Sequence, residues 1–378
     1  MIVDNLKKII MYFFWIFPVK NNKVFISNYY GKGFGDNAKY ICLELMKNHR
    51  ELDIVWSVND LKEEMPKEIR IVKNKSIKYF YELATAKVWI DNCRKYFYIK
   101  KRKNQIYIQT WHGDVGMKKC EADAIASLDK KYIESAQNDS QMIDYFIAGN
   151  RMMLEYIKNY FWYQGKILKI GLPRRDIFYL NQIEKSIQIK QKIGIDANVK
   201  IFLYAPTFRN INSEESLKVY NLDWNGVKKA LEEKFGGTWI GLIRLHPNLT
   251  DYYEKLEIPS DIINVNKYPD MQELLLISDC CISDYSSALF EFAVTNKMGF
   301  IYAEDLEEYK KDRDLRFSFE QIPFEIANTN RELIDNIRHF DFDEYKQNIK
   351  YFFKDINGLY DDGHASQKIA ELITNICH

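Results

Sequence analysis

The sequence predicts an α/β protein made of two Rossmann-like units, each a parallel sheet with crossover helices. Three observations carry that prediction. Short β-branched or aromatic runs alternate with stretches of helical period through the first half of the chain, the alternation halts in a polar Lys- and Gln-rich stretch, and it then restarts. At 378 residues the chain has room for two domains of roughly 100–200 residues each.

In the first half, strands are expected at Val24 to Asn28, Asp53 to Val58, Val88 to Asp91, Gln105 to Thr110 and Tyr145 to Ala148. Helices are expected at Asn37 to Met46, Ile77 to Ala84 and Asn150 to Tyr160. Gly171 to Asp196 starts with Gly-Leu-Pro-Arg-Arg-Asp and turns polar, which makes it the expected crossing between domains. Strands resume at Lys200 to Ala205, Thr238 to Leu245, Ile262 to Val265, Cys280 to Ser283 and Gly299 to Tyr302. Ile369, Leu372, Ile373 and Ile376 recur at helical spacing and mark a closing helix. The resulting division is a segment 1–20, a first domain 21–180, a second domain 181–362 and the helix 363–378.

Segment 1–20 needs its own reading. Ile9 to Phe17 is apolar apart from the Tyr12 hydroxyl, with Lys7 and Lys8 before it and Lys20 after it. A bilayer span needs about 20 residues, so this run is too short. No small-residue cleavage site follows, which argues against a signal peptide. A membrane-interfacial segment carrying Trp15 and phenylalanines is the preferred reading. A helix packed on its own domain is the alternative.

Composition excludes several classes. Hydrophobic residues at 47% and charged residues at 28% are ordinary for a globular chain, so disorder and fibrous architecture are out. Lys and Arg total 54 against 53 Asp and Glu, which leaves no global field for nucleic acid. Any anion must be bound locally. Six cysteines without a Cys-x-x-Cys pair read as reduced thiols, and Cys280 and Cys281 as small buried hydrophobes.

Four strings carry chemistry. Thr110-Trp111-His112-Gly113-Asp114 follows a strand, so His112 stands at a carboxyl edge, where open α/β sheets bind ligands and a histidine can take a proton. A histidine satisfied by neighbouring backbone is the equal alternative. Tyr204-Ala205-Pro206-Thr207-Phe208-Arg209 and Arg244-Leu245-His246-Pro247 each end a strand with a cation and a proline. Arg209, Arg244 and His246 can therefore converge on one crevice, where guanidinium groups offer forked donors to phosphate; structural ion pairs are the alternative. Ser283-Asp284-Tyr285-Ser286-Ser287 runs from a buried strand into a helix through Glu291 and Phe292. That start can hold phosphate or simply be capped by Ser286.

Gly31-Lys32-Gly33-Phe34-Gly35 also links strand to helix but lacks the spacing of a dinucleotide fingerprint, so acceptor binding and plain chain turning stay equal. Asp312-Arg313-Asp314 and Asp341-Phe342-Asp343 lie in charged stretches and read as solvated faces. No metal site is expected.

Taken together and in order, TWHGD, GLPRRD, YAPTFR, RLHP, SDYSSALFEFAV and DGHAS resemble the CDP-glycerol glycerophosphotransferase family of teichoic acid and capsule synthesis, from Asn28 to about Ile373. The resemblance implies a GT-B type fold, two Rossmann-like domains facing across a cleft, with the C-terminal helix bracing the first domain. It implies His112 as catalytic base, Arg244 and the second catalytic histidine His246 facing the donor diphosphate, and Ser286, Ser287, Asp284 and Arg209 near phosphate. Arg174, Asp114 and Glu291 are further motif positions. Asp114 stands where the family usually has Thr, Glu291 where it has Asp, and Met298 where it has Pro, which leaves the polyol open.

The implied reaction moves glycerol phosphate or ribitol phosphate from CDP-glycerol or CDP-ribitol to a hydroxyl of a lipid-linked acceptor glycan or polyol-phosphate chain, releasing CMP. It requires no cofactor, involves no nucleic acid, and takes place at the cytoplasmic face of the membrane, to which the protein would be peripherally bound; an oligomer stays open. A nucleotide-sugar glycosyltransferase or epimerase on the same fold is the first rival. A non-catalytic membrane assembly partner is the second.

Overall fold

All strand pairings of the two sheets are parallel, and each sheet reverses its strand order once. The computed structural model describes residues 2–116, 118–180, 182–208, 217, 220–245, 253–256, 258–306, 316 and 321–378. The chain divides into one unit of residues 1–114, 120–179 and 358–378, and a second of residues 115–119 and 180–357.

The first unit holds β1 (Lys20–Ser27), β2 (Asp53–Val58), β3 (Arg70–Lys73), β4 (Ala86–Asp91), β5 (Ile106–Gln109), β6 (Tyr145–Ala148) and β7 (Lys166–Lys169), in the order β3-β2-β1-β4-β5-β6-β7. Its central strands are apolar on both faces, as strands covered on both sides must be. Phe25, Val55, Trp89, Tyr107 and Phe146 enter one core cluster. Their neighbours Val24, Ile26, Ile54, Val88, Ile90 and Ile108 enter the other. The period of two along each strand thus supplies both layers. The order reverses between β1 and β4, which makes their carboxyl ends a topological switch point.

Two terminal elements complete this unit. The helix Ala365–Cys377 lays Ile369, Ala370 and Ile373 on the second cluster. Its start is fixed by Asp176, whose carboxylate accepts from Ala365 N at 3.0 Å and Ser366 N at 2.7 Å. At the other end of the chain, the helix Ile2–Phe13 buries Met11 in the first cluster, with Ile10, Phe14 and Trp15 packed beside it. Arg102 ties the following turn down by donating to the Trp15 and Phe17 carbonyls at 3.0 and 2.7 Å. The helix Ile2–Phe13 and the turn after it are therefore docked on the first unit, although Leu6, Ile9, Phe13 and Ile16 stay 56 to 70% exposed on the outer face.

The second unit holds β8 (Lys200–Tyr204), β9 (Trp239–Ile243), β10 (Ile263–Asn264), β11 (Cys280–Ser283), β12 (Met298–Tyr302) and β13 (Glu325–Ala327), in the order β10-β9-β8-β11-β12-β13. Its reversal falls between β8 and β11. Cys280 and Cys281 are fully buried in β11. The polar crossing contains more structure than its composition announces: a 3-10 turn at Pro173–Phe178 and a helix at Ile183–Lys192, in which only Ile189 is buried. With one buried apolar residue, helical period is barely visible there. β3, β7 and β13 also escaped the sequence reading, because short edge strands with charged ends, such as Arg70-Ile-Val-Lys73 and Lys166-Ile-Leu-Lys169, lack a second partner and a fully apolar run.

Candidate functional site

In the first unit, the switch point collects Asn28 and Tyr29 after β1, Asn92 and Cys93 after β4, and His112 after β5. Trp111 takes the left-handed backbone conformation (φ +53°), a strained setting for a bulky residue that turns the chain sharply at the strand end. Its N–H donates to Gln109 Oε1 at 2.9 Å and its carbonyl accepts from Asn37 Nδ2 at 3.2 Å, which holds the turn. His112 is half-buried beside the rings of Trp111 and Tyr29, at centroid distances of 4.5 and 5.4 Å. Its Nδ1 lies 2.6 Å from the Asn92 carbonyl oxygen. A carbonyl can only accept, so Nδ1 carries the proton and Nε2 keeps its lone pair. Burial pulls the imidazole pKa below its ordinary value, partly offset by that hydrogen bond, so the ring is neutral near pH 7.

The residues of GLPRRD hold this turn from behind. Arg174 Nη1 donates to the His112 carbonyl at 3.0 Å and to Asp36 Oδ2 at 2.8 Å, and Asp36 also accepts from the Tyr29 hydroxyl at 2.8 Å. Asp114 points the other way. Its Oδ2 accepts from Arg175 Nη2 at 2.7 Å and from Asn150 Nδ2 at 2.5 Å, and Arg175 also pairs with Asp361 at 2.7 Å. All of these carboxylates and guanidinium groups are buried. Gly149 is needed here, because a Cβ at that position would collide with both Arg175 Nη2 and Asp114 Oδ2. Two positions beyond the histidine, the same string thus serves the fold.

In the second unit, the switch point laces three adjacent strand ends. Arg244 N donates to the Tyr204 carbonyl at 3.0 Å, joining the ends of β9 and β8. Asp284 accepts from Thr207 N at 2.9 Å and Thr207 Oγ1 at 3.1 Å, joining β8 to β11. The Arg244 guanidinium donates through Nη1 to the Val265 and Tyr268 carbonyls at 3.2 and 2.5 Å, and burial lowers its pKa without neutralising it. Ser286 caps the helix Ser287–Ala293 by accepting from Ala288 N at 3.2 Å. That helix has seven residues, so its own dipole is a small charge source. Glu291 faces inward and accepts from Gln272 Nε2 at 2.7 Å.

Arg209, His246 and the string Asp312-Arg313-Asp314 lie outside the described residues. Asp341 is exposed and caps the helix Phe342–Lys350 by accepting from Asp343 N and Glu344 N. Among the described residues, no group of three or more His, Cys, Asp and Glu side chains is placed to hold a metal ion. Sequence reasoning missed Asn28, Tyr29 and Asn92, all at or beside strand ends, and gave no role to Asp36 and Thr207, which lie in or directly beside the strings quoted above, whereas Arg175 belongs to the Gly-Leu-Pro-Arg-Arg-Asp string already singled out. Their nearness to the first and second switch points was the available signal, since each follows a strand or belongs to a string already singled out.

A model of the CDP-glycerol:poly(glycerophosphate) glycerophosphotransferase family matches residues 9–375. The chain is 29% identical over 373 residues to the teichoic acid poly(glycerol phosphate) polymerase of Staphylococcus epidermidis, covering 94% of this chain and 51% of that protein. It is 27% identical over 368 residues to the teichoic acid poly(glycerol phosphate) polymerase of Bacillus spizizenii, covering 94% of this chain and 93% of that one. It therefore spans about half the length of the first relative and nearly all of the second. A solved structure of the wall teichoic acid polymerase TagF matches with a TM-score of 0.85 and 27% identity, covering 100% of this chain and 95% of that chain.

Proposed function

Since the chain belongs to the CDP-glycerol:poly(glycerophosphate) glycerophosphotransferase family, we propose that it transfers a polyol phosphate, glycerol phosphate first, from a CDP-linked donor to an acceptor hydroxyl in teichoic acid synthesis. Its fold is of the GT-B type, built from two Rossmann-like units. The observation that carries the reading is His112, set at a switch point with Nδ1–H donated to a carbonyl and Nε2 left as a proton acceptor. In the proposed step, Nε2 takes the acceptor hydroxyl proton as that oxygen attacks the distal phosphorus of the donor. The bond from that phosphorus to the bridging oxygen breaks, and CMP leaves with the electron pair. Arg244, together with Ser286 and Ser287, supports the charge gathering on the leaving group, with Arg209 and His246 as further donors. Asp284 holds the end of β11 to Thr207, Glu291 braces the helix behind the serines, and Arg174 and Asp114 support the base turn. This scheme calls for no cofactor.

The acceptor is proposed to be a lipid-linked glycan or polyol-phosphate chain, met at the cytoplasmic face of the membrane. Among the described residues, no helix is long and apolar enough to cross a membrane. The exposed apolar row Leu6, Ile9, Phe13 and Ile16 supports a peripheral contact, with the exposed Lys8 available to anionic headgroups. Sedimentation with anionic vesicles tests this: Ile9→Glu with Phe13→Glu and Ile16→Glu should abolish co-sedimentation and leave the thermal transition in place, whereas retained binding removes the membrane reading.

Incubating the full chain with CDP-glycerol, CDP-ribitol and UDP-sugars tests the reaction itself. CMP released from a CDP-polyol in the presence of a polyol-phosphate acceptor supports it. UDP released from a UDP-sugar would move the function to the glycosyltransferase or epimerase class.

A further inference from the structure

The transfer scheme leaves the Gly31–Gly35 loop without a role, yet the loop is wired to the base. Asn92, fully buried just after β4, supplies the carbonyl that accepts from His112 Nδ1. Both ends of its side chain are engaged: Nδ2 donates to Asn28 Oδ1 at 2.7 Å, and Oδ1 accepts from Tyr29 N at 2.8 Å. Asn28, buried as well, uses its own Nδ2 to hold the Lys32 and Gly33 carbonyls at 2.9 and 3.3 Å. The loop reaches those positions through Gly31 and Gly33, at φ +89° and +68°, a conformation glycine adopts readily.

An unconstrained histidine side chain favours the Nε2–H tautomer, which has no lone pair to offer an incoming hydroxyl at Nε2. The other tautomer must be imposed by a fixed acceptor at Nδ1, and the orientation of that acceptor is set by its own partners. A peptide carbonyl swings with the backbone of its residue. With the Asn92 side chain clamped at both ends, this one cannot. We infer that Asn92, locked by Asn28, is a positioning residue that holds His112 in the tautomer with Nε2 open, and so couples the base to the glycine loop. The inference rests on His112 as the base of the proposed transfer. The charged and titratable groups that face the ring are Asp36, Tyr29, Arg174, Glu121 and the Cys93 thiol, whose Sγ lies 3.9 Å from Nδ1. None of them is altered in the test.

The test uses the full chain with 15N-labelled histidine. Six histidines are present, and His112 is assigned by the signal lost in His112→Gln. The wild type should show a protonated Nδ1 and an unprotonated Nε2. Asn92→Ala should show tautomer exchange, lose turnover on the order of tenfold or more, and move the acid limb of kcat/KM to lower pH, because the carbonyl supports the protonated ring. Asn28→Ala should act in the same direction, and the double variant should be no worse than the weaker single variant. A cooperatively folded Asn92→Ala that keeps the wild-type nitrogen pattern and acid limb overturns the inference, as do fully additive losses. If Asn92→Ala shows no cooperative melt, Asn28→Ala is judged by the same spectrum. Unchanged transfer by His112→Gln would instead remove the base reading, and the nitrogen spectrum would still answer for the clamp.

Discussion

At the first switch point, His112 is held by four segments remote from one another in sequence: Asn28 to Asn37, Asn92 with Cys93, Gln109 to Trp111, and Arg174. At the second, the strand ends are laced by Asp284, Thr207 and the Arg244 backbone, while the guanidinium hangs from two loop carbonyls. The contrast fits what each site is proposed to handle. A base must present one lone pair in one direction, so its tautomer and ring plane have to be fixed before substrate arrives. A diphosphate site needs positive, hydrogen-donating groups around several equivalent oxygens, and a charge-assisted pair tolerates more freedom than a proton transfer does. Among the described residues, side-chain locking is dense around the histidine and sparse around the arginine.

The sharpest way to break this comparison is His112→Ala. Turnover should fall by about 10²–10⁴-fold, the usual contribution of a general base, with CDP-glycerol binding little changed. Wild-type turnover at saturating substrate would leave the first switch point without its chemistry. The pH dependence carries a sign. Because burial lowers the His112 pKa, the neutral base persists below the ordinary histidine value of about 6.5, and the acid limb of kcat/KM should lie under that value. In the unfolded chain the ring takes up its proton near the ordinary value while the folded state resists it. Folding should accordingly weaken as pH falls through that range, less so in His112→Ala.

Asp114→Ala separates the two ends of one string. It removes a carboxylate from buried Arg175, and breaking such a pair costs about 3–5 kcal/mol, with Asp361 holding the loss to the low end. Urea unfolding should register that loss, while CDP binding measured by calorimetry stays as in the wild type. Arg244→Ala should weaken CDP by roughly 1.5–3 kcal/mol, the value of a hydrogen bond to a charged group, and leave cytidine indifferent. Equal losses for CDP and cytidine would mean that Arg244 holds the loop of Val265 and Tyr268 and not a diphosphate. The smallest effect is expected from Ser286→Ala with Ser287→Ala, about 0.5–1.5 kcal/mol on CDP, since backbone N–H groups survive the change. Part of any stability loss in that pair belongs to the Ser286 cap.

Both two-unit organisation and parallel sheets were legible in the chain, because central strands such as Val24-Phe25-Ile26 and Cys280-Cys281-Ile282 need apolar residues on both faces and so announce themselves in sequence. Edge strands and the helix Ile183–Lys192 were not legible, because one-sided burial leaves room for charge. The first seventeen residues show the same limit. Their apolar run was plain, but only packing divides it into a face that holds Met11 in the core and a face that carries Ile9, Phe13 and Ile16 outward.

By itself, the sequence determined the fold class and the places where chemistry can sit, since a strand that stops at Thr110, Ala205 or Ser283 leaves the next residues at a carboxyl edge whatever the rest of the chain does. Which of those residues pair with which was decided by tertiary structure. Arg174 meets Asp36 across 138 positions, Arg175 meets Asp114 across 61, and Asn92 meets His112 across 20. No local pattern encodes such pairings, because they depend on sheet order and on turns like the left-handed Trp111, which set the direction of each side chain only after the strands have assembled.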